Sequence, residues 1–239
     1  MKSHRHAGLM ALTLLALMTL PGYGQERFLV NLNFDLGFPQ GGFRSNIDRT
    51  VIGGSASFLY RLPHSPFLVG ASLAFMNYGY DSREEFFSPE IPEVWVDVVT
   101  ANNIFNAAFL FRMQPLHGPV EPYIEGLLGL NHFYTETTIY DQEYSDEDDE
   151  IASTVHLRDT AFCFGAGAGV MVNIVGFSHN GRRLNCGLYL DLAVRYIKGG
   201  RAEYMGENDL VRGDGFLEYY VRESATDMIK TTLGLTFAF

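Results

Sequence analysis

Apolar and polar residues alternate along eight stretches of this chain. In the first, Phe28, Val30, Leu32, Phe34, Leu36 and Phe38 share one face, and Asn31, Asn33 and Asp35 lie on the other. In the last, Ile229, Thr231, Leu233, Leu235, Phe237 and Phe239 oppose Lys230, Thr232, Gly234 and Thr236. A period of two is the mark of a β-strand with one greasy side. Six more such strands are predicted between these two, over residues 50–62, 67–80, 99–113, 123–134, 161–174 and 185–197, with the last strand over 226–239. The fold class read from this pattern is all-β, an eight-stranded antiparallel up-and-down barrel.

The connections alternate in length. Residues 39–48, 81–98, 135–159 and 199–224 form long loops, whereas 63–66, 114–122 and 175–184 form shorter turns, so the long loops gather at one end. An even strand count with long loops at one end and both termini at the other is the plan of a bacterial outer-membrane barrel. Strand parity agrees with a four-residue first turn that sets Leu62 opposite Phe67. A two-residue turn at Asn180-Gly181 would pair an apolar-face residue with a polar-face one, so an odd-length loop or a bulge is expected there.

Charge placement decides which face is outside. Within the spans the apolar faces carry no charged residue, with Asp227 and His132 only at one rim. The opposite faces carry Asp35, Arg61, Arg112, Glu125, Asp191, Arg195 and Lys230, four basic groups against three acidic ones. A soluble exterior would be richer in Lys and Glu, and an eight-stranded barrel has an interior just wide enough to be filled by side chains. Register predicts an interior ion pair between Arg112 and Glu125, and barrel closure brings Lys230 near Asp35. Gly165, Gly167 and Gly169 point inward as a thin wall, with Tyr189 expected to fill the space.

The rest of the composition narrows the setting. A basic start at Lys2 and Arg5, an uncharged run from Ala7 to Leu20 and small residues up to Gly24 read as a signal peptide over 1–24, leaving the barrel over 25–239. The net charge of −11 is concentrated between Thr135 and Asp159, where nine acidic residues face the single Arg158, a local balance of −8. Without a basic stripe, nucleic acid is excluded as a partner. Cys163 and Cys186 would lie roughly 35 Å apart at about 3.4 Å per residue and point to opposite faces, so no disulfide is expected.

At this point the chain resembles the small eight-stranded outer-membrane barrels, the OmpA, OmpX and OmpW group, over Arg27 to Phe239. The resemblance implies an outer-membrane location with extracellular loops and periplasmic termini, a monomer in contact with outer-membrane lipids, and no cofactor. It also implies that Leu233, Leu235, Phe237 and Phe239 act as a sorting signal for the barrel-insertion machinery. OmpA continues into a periplasmic peptidoglycan-binding domain; no such domain is expected here.

The expected role is surface interaction with host proteins, or envelope structure. Arg212, Gly213 and Asp214 spell an integrin-type tripeptide in the fourth long loop, which a polar Gly turn explains more simply. The acidic run Asp146 to Glu150 lacks the spacing of a calcium loop, so no metal site is assigned. Ile104, Leu110, Leu127, Met76, Met171 and Met228 face inward and would line a path for small hydrophobic solutes, as in OmpW, or simply pack. An enzyme would need catalytic groups at the outer rim, where His132, His156 and Ser153 are the candidates and an interfacial aromatic belt explains His132 more simply; no catalytic residue is assigned. Trp95, Phe86 and Phe87 fall in the second long loop.

Overall fold

The computed structural model describes residues 27–239, apart from 89–90, 117, 142–149, 180–181, 207–208 and 214–215. The signal peptide, the acids Asp146 to Asp149 and Asp214 therefore lie outside the described residues. Eight strands close into a barrel: β1 (Phe28–Pro39), β2 (Val51–Arg61), β3 (Phe67–Ser88), β4 (Ile91–Met113), β5 (Val120–Asp141), β6 (Glu150–His179), β7 (Arg182–Gly199) and, after four short strands, β12 (Met228–Ala238). Each pairs antiparallel with its sequence neighbour, and β12 closes the ring on β1. No barrel edge is left open within this ring.

Register determines the geometry. Starting at Val51 and stepping across the ladders, one passes Gly37, Lys230, Arg195, Gly167, Glu125, Arg112 and Leu68, and returns to β2 at Arg61. The ring thus closes with a stagger of ten residues, from 51 to 61, and strands tilted by about 35–45° follow from such a stagger. The first turn has the predicted register, with the Leu62 N–H donating to the Phe67 carbonyl at 2.9 Å. The β6–β7 hairpin pairs His179 with Arg182 across the two-residue connection, and register shifts at Asn173/Val175 and Gly176/Ser178 restore the parity of the barrel below it. Those are the bulges that the alternation requires.

The outer surface is apolar on every strand. Phe34, Phe58, Leu73, Phe109, Leu128, Phe164, Val194 and Leu233, one from each, are all exposed. Exposed apolar groups in a continuous belt have no counterpart in a water-soluble barrel, and a closed barrel is the only sheet whose backbone is fully paired in hydrocarbon.

Two of the expected long loops are instead mostly strand. β3 runs on to Ser88 and β4 begins at Ile91; β5 runs on to Asp141 and β6 begins at Glu150. Above the membrane both faces meet water or polar packing, so the greasy alternation fades although β-branched residues such as Val96, Val98, Thr135 and Thr137 still favour a strand. Phe86 and Trp95, expected in a loop, are ladder partners. β1, β2, β7 and β12 stop lower, at Pro39, Val51, Gly199 and Met228. Strands β3 to β6 therefore rise as a wall past the rim, with roughly 35 Å of strand in β3 after Asn77.

The first and fourth connections cap the barrel. Helix α1 (Gly41–Asn46) follows β1. The fourth folds as two strand pairs, β8 (Arg201–Tyr204) with β11 (Arg222–Ala225), and β9 (Leu210–Gly213) with β10 (Phe216–Tyr219).

Candidate functional site: a filled lumen and a capped mouth

Four of the interior charges lie on one cross-strand row. Lys230, Arg195, Glu125 and Arg112 occupy that row on β12, β7, β5 and β4, with Gly167 of β6 between Arg195 and Glu125. Because Gly167 has no side chain, Arg195 reaches across β6, and its Nε meets Glu125 Oε1 at 2.5 Å. Arg112 holds the other oxygen, with Nε and Nη2 each 3.0 Å from Oε2. Glu125 is thus clamped by two guanidinium groups, all three nearly or wholly buried. Lys230 Nζ lies 3.2 Å from Asp35 Oδ2.

A second layer completes the network. Tyr123 lies beneath Arg112, whose Cζ sits 3.7 Å from the ring centroid, and the Tyr123 hydroxyl donates to Asp191 Oδ1 at 2.6 Å. Asn31 Nδ2 donates to Asp191 Oδ2 at 2.7 Å and to Thr236 Oγ1 at 2.8 Å. Glu121, assigned to a turn from sequence, lies in β5 and accepts from Gln114 Nε2 and, at 3.1 Å, from the Gly118 N–H. Its place is legible in the alternation Glu121, Tyr123, Glu125. With it, the buried charges on the barrel strands and their short turns balance, Asp35, Glu121, Glu125 and Asp191 against Arg61, Arg112, Arg195 and Lys230, while buried Asp209 of the fourth connection pairs with Arg222. Balanced, hydrogen-bonded charges are the condition under which a lumen can hold ions away from water.

The filler of the thin wall differs from the expectation. A Cβ at Gly169 would overlap the Tyr123 ring, and one at Gly167 would sit 2.7 Å from Arg195 Cγ. Tyr123 and Arg195 therefore use that space, while Tyr189 pairs lower, opposite Asn173. The side chains cross the lumen diagonally because the strands are staggered, which counting along one strand does not reveal. Replacing Gly169 by Ala should destabilise the barrel by about 1–3 kcal/mol through overpacking, measured as a lower urea midpoint in lipid vesicles; an unchanged midpoint would place Tyr123 elsewhere.

Met76, Ile104, Leu110, Leu127, Met171 and Met228 all face inward and are buried. They pack instead of lining a passage. Nearer the mouth, the rings of Phe43, Tyr78, Phe133 and Tyr204 lie 5.2–6.3 Å apart, mostly edge to face. Phe43, from α1, gives no signal in the sequence because a six-residue helix offers too few positions for a period to show. Arg222 latches this cap: its Nη2 meets Asp209 Oδ1 at 2.7 Å and its Nη1 donates to the Asn46 carbonyl at 2.9 Å. Its hydrogen bonds to Asp209 hold the guanidinium pKa above its ordinary value. With charges and aromatics filling the lumen, planar-bilayer recordings of the purified barrel should show no stepwise conductance; regular single-channel steps would mean that the plug opens.

The rim candidates for catalysis do not form one constellation. His132 points outward, with Nδ1 2.8 Å from the Thr160 hydroxyl and its ring 5.9 Å from that of Tyr134, whereas Phe133 turns into the lumen. Ser153 donates to Glu136 Oε1 at 2.6 Å. His156 falls at the β5–β6 register shift between Thr135/Leu157 and Glu136/Val155. Arg212 and Gly213 end β9, with Gly213 opposite Phe216. Cys163 is a buried free thiol. Among the described residues no group of three His, Cys, Asp or Glu could hold a metal ion.

An apolar belt, a closed ring of eight tilted strands and a charge-balanced, filled interior define a transmembrane β-barrel. No protein-family model matches the chain, and no curated protein matches it. Among solved structures it is similar to the outer membrane protein OprG from Pseudomonas aeruginosa, with 13% identity and a TM-score of 0.44 over 92% of this chain and 99% of that one. It is also similar to a major outer membrane protein from Thermus thermophilus (13%, TM-score 0.42, 89% and 99%) and to Neisserial surface protein A (12%, TM-score 0.40, 91% and 100%).

Proposed function

We propose that this protein is a bacterial outer-membrane barrel that works by recognising a protein partner at the cell surface, with the wall outside the cell and both termini in the periplasm. The observation that supports this reading is the wall itself: four of eight strands continue well past the rim, over a lumen that is filled. A purely structural barrel gains nothing in hydrocarbon from strands that stand in water, and a pore would not fill its own path. Chemistry at the rim is not required, so the protein acts by binding.

The reading is tested with the barrel in lipid nanodiscs, presented to extracellular-matrix and host-surface proteins, beside a variant in which the wall is cut back to the rim. Capture lost on shortening supports it. Capture equal in both forms, or none by the intact barrel, overturns it.

Arg212, Gly213 and Asp214 are the second contact that we propose, since Gly213 ends a strand of a small hairpin in the fourth connection. Integrin-dependent adhesion should fall at least about tenfold in Asp214→Glu, because the longer side chain moves the carboxylate by a methylene. Unchanged adhesion removes the tripeptide from the interface.

A further inference from the structure

At the end of the barrel opposite the wall, one hairpin outruns the ring. β6 stays paired with β5 only as far as Val172 and Val120, with one further bond from the Asn173 N–H to the Pro119 carbonyl at 2.8 Å. On the other side, β7 is paired with β12 only from Gly187 and Ala238 inward. Past those points β6 and β7 continue together, from Gly176 with Gly187 through Ser178 with Arg183 to His179 with Arg182. The link from β2 to β3, in contrast, closes at once between Leu62 and Phe67. At the same end of β1, β2 and β12, the Phe28 ring lies 5.3–6.0 Å from those of Phe58, Tyr60 and Phe239. Such an aromatic girdle marks the edge of the hydrocarbon.

From Gly187 to Arg182 the hairpin gains roughly 17 Å of strand at about 3.4 Å per residue, which a tilt of about 40° turns into about 13 Å past the girdle. A headgroup layer is only about 5–8 Å deep. The tip therefore stands beyond the lipid. Its charge is of one sign, since from Asn173 to Tyr189 the chain holds Arg182, Arg183 and His179 and no Asp or Glu. Arg27, His64 and His117 fall at the same end in sequence, with Glu26 just before the described residues. From Arg27 onward, the acids are either in the lumen, as Asp35, Glu121, Glu125 and Asp191, or by their place in the chain in the wall, its rim and the connections at that end. Consecutive residues of a strand take opposite faces, so each face of the ribbon has one arginine position. A ribbon lying flat on a bilayer would use one face only; cations on both suit a ribbon that its partner surrounds.

Resting on the orientation in the reading above, with this end in the periplasm, we propose that the β6–β7 hairpin is a contact to the cell wall, in which Arg182 and Arg183 hold carboxylates of the wall polymer. The planar guanidinium fork matches a carboxylate with two parallel, charge-assisted hydrogen bonds. One contact of this size is weak. It gains strength when many barrels meet one polymer, because each bound barrel holds its neighbours' sites within reach. The hairpin then ties the barrel down from below, while the wall at the other end is left free for its own partner.

The probe is purified peptidoglycan sacculi, mixed with the whole barrel in zwitterionic nanodiscs and sedimented. The expected result is salt-sensitive co-sedimentation that falls at least about fivefold in the double change Arg182→Gln with Arg183→Gln and is partly restored by Arg182→Lys with Arg183→Lys. Amidating the carboxylates of the sacculi should lower it as much. Absence of co-sedimentation, equal co-sedimentation of the glutamine pair, or equal binding to amidated sacculi overturns the assignment. Binding to phosphatidylglycerol vesicles with none to sacculi also overturns it and makes a lipid surface the partner. The orientation is tested separately, with an epitope placed between Asn180 and Gly181: antibody reaching it on intact cells puts the hairpin outside and refutes the wall contact whatever the sacculi bind. Surface recognition fails on its own measurement, when shortening the strand wall leaves capture of host proteins unchanged, and that result leaves the binding of sacculi untouched.

Discussion

Glu125→Ala is expected to lower the unfolding free energy of the barrel by about 3–5 kcal/mol, the cost of leaving buried charge without its partner. The effect is large because one carboxylate serves two cations. Arg112 and Arg195 each place a nitrogen at 3.0 Å or less from Glu125. Without it they face each other across a lumen packed with side chains. Asp191 is the next acid, with Oδ2 3.9 Å from Arg112 Nη1, and it is already shared with Tyr123 and Asn31.

Glu125→Gln should retain most of the loss, since the amide fills the same volume but carries no charge. Replacing the trio together, with Arg112→Met, Glu125→Leu and Arg195→Met, should be close to neutral, because the desolvation cost disappears along with the attraction. Urea titration in lipid vesicles, followed by the gel-mobility shift between folded and unfolded barrel, measures all three. A single Glu125→Ala variant within about 1 kcal/mol of the parent would show that the clamp contributes little.

Phe109→Arg is the second large effect, at about 2–4 kcal/mol destabilising, the cost of a guanidinium at the middle of the lipid-facing wall. Phe109 is 75% exposed and lies on β4 between Ala107 and Phe111, well inside the apolar belt. In water the same change on so exposed a side chain would be nearly neutral or would improve solubility. The comparison is His132→Arg, near the rim from which the wall rises, where the cost should fall to about 0–1 kcal/mol. The difference between the two positions is the informative quantity, because it measures depth in hydrocarbon and not loss of a contact. Equal, small effects at both would put the apolar face in water.

Much of this architecture is legible residue by residue. The pairings Arg112 with Glu125 and Lys230 with Asp35 need only parity and a correct first and last strand. Glu121 follows from continuing the β5 alternation two residues further back. The wall is different, because alternation marks a strand only while one face meets lipid, and Thr135 to Tyr140 are paired with no lipid to select their outer face. Phe43 is out of reach of any such pattern, since its role depends on α1 folding back over a mouth formed by β3, β5 and β8.

Residue order alone settles which side of each strand meets hydrocarbon, because side-chain direction alternates along a strand and an uncharged face is recorded directly in residue identity. Which interior groups meet, and which strands outrun the membrane, depends on the closed ring. The registers of four consecutive ladders bring Lys230, Arg195, Glu125 and Arg112 onto one row, through a gap left by Gly167. Only the closing of the last strand on the first then sets Asp35 against Lys230 at the end of that row.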